Sequence, residues 1–259
     1  MFKRILIKVS GEELAGAAGE PGGAYFDEGA VKKLTSEIKA VTESGTQVSL
    51  VTGGGNIWRG RGAGSWMDAS RAHQMGMLAT VINGVYLSEA FRRECLDSVV
   101  MTPFEAGNIT ERFSKQEALD RMARGQVIIL AGGTGLPFFS TDSIAAVRAL
   151  ELEAEALLFA KRVDGVYESD PGKNPQAKKY RSLSYTAVIK NSLRTNGENP
   201  VADISALDLL RAGKIVSLVF KLSAPGGIVT ANRGEEAVWT IGGTLVKEGT
   251  KEEFYVYPQ

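Results

Sequence analysis

Apolar residues arrive in short runs of strand length along this chain, at Ile5 to Val9, Val48 to Val51, Ser98 to Met101, Val127 to Ala131, Ala156 to Ala160 and Ile215 to Phe220. Near-continuous apolar runs, rather than strict alternation, mark strands covered on both faces. Between them the spacing becomes helical. Val31, Leu34, Ile38 and Val41 follow a capping residue at Asp27, and Met75, Leu78, Ala79, Ile82, Val85 and Tyr86 form a second stripe. Ser114 and Glu117 make a capping box that opens a helix to Met122. A helix from Asp203 to Arg211, ended near Gly213, leads into the last long strand, and Ala224-Pro225-Gly226-Gly227 breaks the chain after it. The polar stretch from Arg162 to Ser184, with Pro171, Gly172 and Pro175, reads as a long loop, and the tail from Thr250 to Gln259 as a loosely held terminus. Strands alternating with amphipathic helices predict an α/β fold, a three-layer αβα sandwich around a mainly parallel sheet, with ligands at the carboxyl ends of the strands.

Composition narrows the chemistry. At 259 residues and 44% hydrophobic, the chain has enough apolar material for one large core. Thirty basic and thirty acidic residues cancel, so the electrostatic footprint of a general nucleic-acid or acidic-membrane binder is missing and any anion site must be local. A single cysteine, Cys95, excludes an internal disulfide and a cysteine-based metal site and fits a reducing compartment, with cytoplasm the expectation. A single histidine, His73, excludes a multi-histidine zinc site. Thirty glycines exceed the usual share and cluster in loops after strands, where ligands bind. No apolar stretch approaches the ~18 residues of a membrane span.

Four such loops carry the candidate chemistry. The first strand ends Lys8-Val9-Ser10-Gly11-Glu12, and a lysine in an apolar strand is costly unless its ammonium reaches solvent or an anion. The second loop, Gly53-Gly54-Gly55-Asn56-Ile57-Trp58-Arg59-Gly60, offers close-approach backbone N–H groups and a guanidinium, the equipment for holding phosphate. A tight strand-to-helix turn needing positive φ is the competing explanation for a glycine triplet. Neither loop has P-loop spacing. The third, Gly132-Gly133-Thr134-Gly135-Leu136-Pro137-Phe138-Phe139-Ser140-Thr141-Asp142, adds two aromatics suited to a base or sugar and a helix start at Thr141-Asp142. The fourth, Lys161-Arg162-Val163-Asp164-Gly165-Val166-Tyr167-Glu168-Ser169-Asp170-Pro171, brings two cations, a ring and carboxylates.

These segments, together with Met75-Gly76-Met77-Leu78-Ala79-Thr80-Val81-Ile82-Asn83, resemble the amino-acid kinase superfamily and within it the bacterial uridylate (UMP) kinases, from about Arg4 to about Phe220. The resemblance implies the carbamate kinase-like version of the αβα sandwich, in one domain over 1–259, with an acceptor-nucleotide and phosphate-binding part over about 1–155 and an ATP-binding part over about 156–250. It implies phosphoryl transfer from ATP to UMP, with Lys8, Arg59 and Asp142 as the catalytic set. ATP would be held by Lys8, Val9, Ser10, Gly11, Gly55, Arg59, Lys161, Arg162, Tyr167 and Asp170, and UMP by Gly54, His73, Thr134, Gly135, Leu136, Pro137, Phe138, Phe139, Ser140 and Thr141. Mg²⁺ would arrive with ATP, without a dedicated protein metal site. Members of this family are typically homohexamers, activated by GTP and inhibited by UTP in many cases.

The chain departs from that pattern at four places. His73 stands where an Asp usually holds the ribose hydroxyls, Leu136 where Asn is frequent, and Ala160-Lys161-Arg162 where Ala-Thr-Lys is usual; the loop from Ala15 to Tyr25, where the family's GTP-response segment lies, is longer and glycine-rich. Two other readings stay open: another small-molecule kinase of the same superfamily, phosphorylating for example a carboxylate, or a weakly catalytic nucleotide-binding regulator or storage protein. The scarcity of histidine suits phosphoryl transfer. A nucleoside monophosphate has a second pKa near ~6 and is largely dianionic at neutral pH, so it needs charge neutralisation rather than a general base.

Overall fold

The computed structural model describes residues 1–15, 25–58, 64–194 and 201–256. The strands are β1 (Arg4–Val9), β2 (Gln47–Thr52), β3 (Ser98–Thr102), β4 (Glu111–Arg112), β5 (Val127–Leu130), β6 (Ala156–Lys161), β7 (Val166–Tyr167), β8 (Lys179–Leu183), β9 (Val216–Lys221), β10 (Thr244–Val246) and β11 (Glu253–Phe254). The helices are α1 (Glu28–Glu43), α2 (Ala69–Arg93), α3 (Lys115–Ala123), α4 (Thr141–Glu151), α5 (Tyr185–Arg194), α6 (Ile204–Ala212) and α7 (Gly227–Ala231). One sheet runs β11-β8-β10-β9-β6-β1-β2-β5-β3-β4, with β7 paired to β8. Its centre, β9-β6-β1-β2-β5-β3, is parallel throughout, and among the described residues antiparallel pairing appears only where β7, β10 and β11 join at one end.

The central strands were legible because their side chains alternate into two separate cores. Ile5, Ile7 and Val9 of β1 enter a core with Leu34 and Ile38 of α1 and Leu87 and Phe91 of α2. Leu6 enters the opposite core, with Ala145 and Ala149 of α4 and Leu207 of α6. This period of two decides where the chemistry goes. Lys8 shares the face of Leu6, and Lys161 shares the face of Leu157 and Phe159, so both lysines emerge on the α4 side where β1 and β6 end. The chain leaves β1 and β6 in opposite directions along the sheet, which makes this a topological switch point.

The structure corrects several expectations. The stretch from Arg162 to Ser184 contains β7 and β8 instead of being one loop. The tail is held as far as it is described: β11 pairs with β8, and the Tyr255 hydroxyl donates to the Gly243 carbonyl at 2.6 Å. The helix at Thr141 is capped by Ser140, whose hydroxyl accepts from the Asp142 and Ser143 N–H groups, so Thr141 and Asp142 are not capping residues. Part of the second stripe faces outward. Leu78 is 54% and Ile82 51% exposed, and the buried side of α2 is made of small and polar groups such as Ala79, Thr80, Asn83 and Gly84, followed by Leu87 and Phe91.

Candidate active site

Asp142, in the first turn of α4, reaches the switch point between the two lysines. Its Oδ1 lies 2.7 Å from Lys8 Nζ and its Oδ2 3.5 Å from Lys161 Nζ. Lys161 Nζ also donates to the Val201 carbonyl, and Lys8 Nζ lies 3.5 Å from the Ser10 hydroxyl. Burial by itself would raise the Asp142 pKa, but the ammoniums of Lys161 and Lys8 outweigh it and hold the carboxyl below the ordinary range. Burial lowers the Lys161 pKa, Asp142 pulls it back and Lys8 lowers it further, leaving it under the usual lysine value. Asp203 steadies the start of α4: its carboxylate accepts from the hydroxyls of Ser140 and Ser143 while it caps α6 through the Ala206 N–H.

The glycines after β1 and β2 are explained by contact. A Cβ on Gly11 would stand 2.5 Å from the Gly53 carbonyl oxygen, and one on Gly54 would stand 2.9 Å from both the Gly76 oxygen and the Ala79 Cβ. Neither Gly53 nor Gly54 has positive φ, which removes the turn-strain explanation for those two. The loop is tied to α2 by Asn83, which donates to the Gly53 oxygen at 2.6 Å and to Asn56 Oδ1 at 2.8 Å. Positive φ is instead concentrated after β5, at Gly132, Gly133 and Gly135, and extends to Phe138 at φ 72°. An aromatic residue in that region is strained and persists only where its surroundings impose it.

Two cavities have linings that come close to the charged residues along the chain, one at Thr141 beside Asp142 and the other at Val163 two residues after Lys161. The smaller, about 230 Å³, is lined by Gly54, Trp58, Ala72, His73, Gly76, Met77, Thr80, Gly133, Phe138, Phe139, Ser140, Thr141 and Ile144. The His73 and Phe138 rings meet there with centroids 4.7 Å apart, and the Trp58 indole N–H is fixed on the Ala72 carbonyl. The larger, about 540 Å³, lies beyond β6 and is bounded by Val163, Val166, Tyr167, Asp170, Lys173, Tyr180, Leu183, Val188 and Asn191 among others. Asp164 supports it from behind by accepting from Tyr167 and Lys179 at 2.7 and 2.8 Å. Burial would raise the Asp164 pKa, and these two hydrogen bonds bring it below the ordinary value.

The sequence pattern that defines the amino acid kinase family matches residues 3–221. The chain belongs to the amino acid kinase family. Its fold is shared with a UMP kinase from Bacillus anthracis at 33% identity and TM-score 0.88, the match covering 98% of this chain and 99% of that one. A UMP kinase from Ureaplasma parvum aligns at 34% identity and TM-score 0.82, covering 95% of this chain and 99% of that one.

Within this kinase fold, the predicted residues are only partly brought together. Lys8 and Asp142 meet directly, and Gly54, His73, Phe138, Phe139, Ser140 and Thr141 share the smaller cavity. Thr134, Gly135, Leu136 and Pro137 are not part of its lining; the Thr134 hydroxyl instead accepts from the Leu136 N–H within the loop. Tyr167 and Asp170 line the larger cavity. Val9 is buried in the core, while Ser10 and Gly11 begin the turn beside Gly53. Gly55 continues the loop from Gly54. Arg162 turns outward, 69% exposed, with Nε 3.7 Å from a Glu13 carboxylate oxygen. Arg59 lies outside the described residues, as do residues 16–24 of the glycine-rich loop. Trp58, Met77 and Thr80 of the recognised motifs also line the smaller cavity, and Tyr180 and Asn191, which carry no local sequence signature, line the larger.

Proposed function

We propose that this protein is a nucleoside monophosphate kinase that transfers the γ-phosphoryl group of ATP to UMP, giving UDP and ADP reversibly in pyrimidine nucleotide synthesis. The observation that carries this reading is one carboxylate bridging two buried ammoniums at the ends of β1 and β6, in a chain that also forms a small aromatic-lined cavity at Thr141 and a larger, mainly apolar one at Val163. In the proposal UMP occupies the smaller cavity, within the part over about 1–155, and the adenosine of ATP the larger, within the part over about 156–250.

A phosphate oxygen of the acceptor attacks the γ-phosphorus, and the bond to the β–γ bridging oxygen breaks with its electron pair staying on ADP. Lys8 meets the charge on the reacting oxygens, while Asp142 keeps its ammonium aimed and charged. Both Asp142 oxygens are engaged by lysines, and among the described residues no three acidic, histidine or cysteine side chains converge for a metal. That donor set fits Mg²⁺ carried by the nucleotide's phosphates, where the ion supplies charge neutralisation.

The exposed stripe Met75, Leu78, Ile82 and Val85 on α2 supports a homo-oligomer in which copies cover one another's apolar surface. Regulation by GTP and UTP enters this reading through the resemblance alone. Cytoplasmic location is proposed from the lone cysteine; among the described residues no helix is long and apolar enough to cross a membrane. The test is turnover of Mg·ATP with UMP, CMP, AMP and GMP, repeated with GTP or UTP added. UDP formation with AMP and GMP as poor acceptors is expected; equal rates with all four, or none with UMP, would reject the assignment.

A further inference from the structure

We propose that the C-terminal strand β11 is the outer support of the larger cavity, with Phe254 a positioning residue for the donor nucleotide that acts through Tyr180. This rests on the kinase reading above, in which the adenosine of ATP occupies that cavity. It gives a part in the reaction to a segment outside residues 3–221, which match the family pattern.

The first argument is register. Tyr180 of β8 sits between two partners, Val166 of β7 on one side and Phe254 of β11 on the other. Residues directly opposite one another across a ladder share a face of the sheet, so the three side chains form a row. Val166 and Tyr180 line the cavity, and Phe254 completes the row, its ring stacked on that of Tyr180 with centroids 4.3 Å apart and planes 26° from parallel. The pairing depends on an irregularity. Glu253 stands opposite Ser182, and a regular antiparallel ladder would put Phe254 opposite Arg181, yet the register skips Arg181 and reaches Tyr180. Arg181 is held by Trp239 instead, its guanidinium 4.0 Å from the ring centroid and its carbonyl accepting from the indole N–H at 3.0 Å. Bulges re-aim side chains, and this one delivers an aromatic ring to a residue of the cavity wall.

The second argument is continuity. The Tyr255 N–H donates to the Lys179 carbonyl at 3.0 Å, and its ring centroid lies 4.8 Å from Lys179 Nζ. That ammonium donates to Asp164, which also accepts from the hydroxyl of Tyr167, another residue of the cavity lining. Two consecutive tail residues thus reach two different aromatics of the wall through β8. The tail has its own anchors: the Tyr255 hydroxyl on the Gly243 carbonyl, and the Ser182 hydroxyl, which donates to the Lys251 carbonyl at 3.1 Å.

The third argument is pre-organisation. Tyr180 is only 5% exposed because Phe254, itself 37% exposed, stands between it and solvent. A wall residue already fixed by its neighbours loses little freedom when a ligand arrives, which favours binding rather than the chemical step.

The test uses the full chain with Mg·ATP and UMP. Phe254→Ala and Phe254→Leu should each raise the KM for ATP by roughly three- to tenfold, the scale of a lost aromatic stack, with kcat and the KM for UMP kept within about twofold. The leucine variant keeps apolar bulk at the position and so protects the fold. Phe254→Tyr, which keeps the ring, should stay within about twofold of the parent in all three constants. In a Tyr180→Leu background, where there is no stack to lose, Phe254→Ala should add less than about twofold to the KM for ATP. Titration calorimetry with ADP should show affinity weakened in parallel with that KM. An unchanged KM for ATP in both ring-deleted variants, equal rises for ATP and UMP, a loss confined to kcat, Phe254→Tyr as impaired as Phe254→Ala, or the same loss with and without the Tyr180 ring would overturn the proposal. A parent chain that makes no UDP would reject the kinase reading and this role with it, whereas an active parent whose ring-deleted variants keep the parent KM for ATP rejects only the role of Phe254.

Discussion

Asn56 and Asn83 exchange two amide hydrogen bonds, 3.0 Å in one direction and 2.8 Å in the other, and so lock the glycine loop after β2 onto the buried side of α2. Asn83 also donates to the Gly53 oxygen, so removing it strands polar groups on both sides of the junction. Asn83→Ala should cost about 1–3 kcal/mol, the penalty for buried hydrogen-bonding groups left without partners. At about 2–4 °C per kcal/mol for a domain of this size, calorimetry should find Tm lowered by several degrees. Combined with Asn56→Ala, the effect should be non-additive by at least about 0.5 kcal/mol. Strict additivity would mean that the two amides act independently.

Asp142 gives a pH signature with a defined sign. Its folded pKa is depressed, so it contributes stability that is fully present above the unfolded carboxylate pKa of about 3.9 and lost as pH falls through the lower folded value. Asp142→Asn should flatten the dependence of unfolding free energy on pH below about pH 4, measured by urea denaturation against the parent. Parallel curves for the two proteins would remove Asp142 as the source.

His73 tests the proposed placement of UMP in the smaller cavity. It sits against Phe138 in a lining shared with Gly54 and Thr141, where the sequence resemblance expects a carboxylate for ribose. A carboxylate can accept from two hydroxyls, and a neutral imidazole from only one. His73→Asp should therefore tighten UMP by about 1–2 kcal/mol, or roughly 5- to 30-fold, in titration calorimetry. An unchanged affinity would show that His73 does not meet the sugar.

The outward stripe on α2 predicts assembly. Ile82→Glu places a charge in the middle of it, and sedimentation velocity at micromolar concentration should show the parent as an oligomer and the variant shifted toward monomer. Identical sedimentation would exclude this surface as the contact.

How much of this was legible varies by element, for physical reasons. β1, β2, β5, β6 and β9 carry apolar runs because helices cover both faces of the sheet there. β7 and β11 have two residues each, too few to show a period, and β8, Lys179-Tyr180-Arg181-Ser182-Leu183, mixes charge with bulk at the antiparallel end of the sheet. Periodicity marked α2 as a helix but not its inner side, because the loops pack so closely that Thr80, Asn83 and Gly84 are buried while Leu78 and Ile82 are not. Lys8 stood out as a charge inside an apolar strand, and Asp142 as an acid at a helix start. The partners that restrain Lys161 did not stand out. A backbone carbonyl such as that of Val201 has no sequence signature, and Asp203 reaches Ser140 across 63 residues.

One consequence of α2 concerns thickness. Gly76, Met77 and Thr80 line the smaller cavity on one side of the helix, and Met75, Leu78 and Ile82 form the bare stripe on the other. The partition between the smaller cavity and the outer surface is therefore a single rod about 10–12 Å across. The cavity lining and the outer stripe are two faces of one element, so a substitution on either face is made in the same helix.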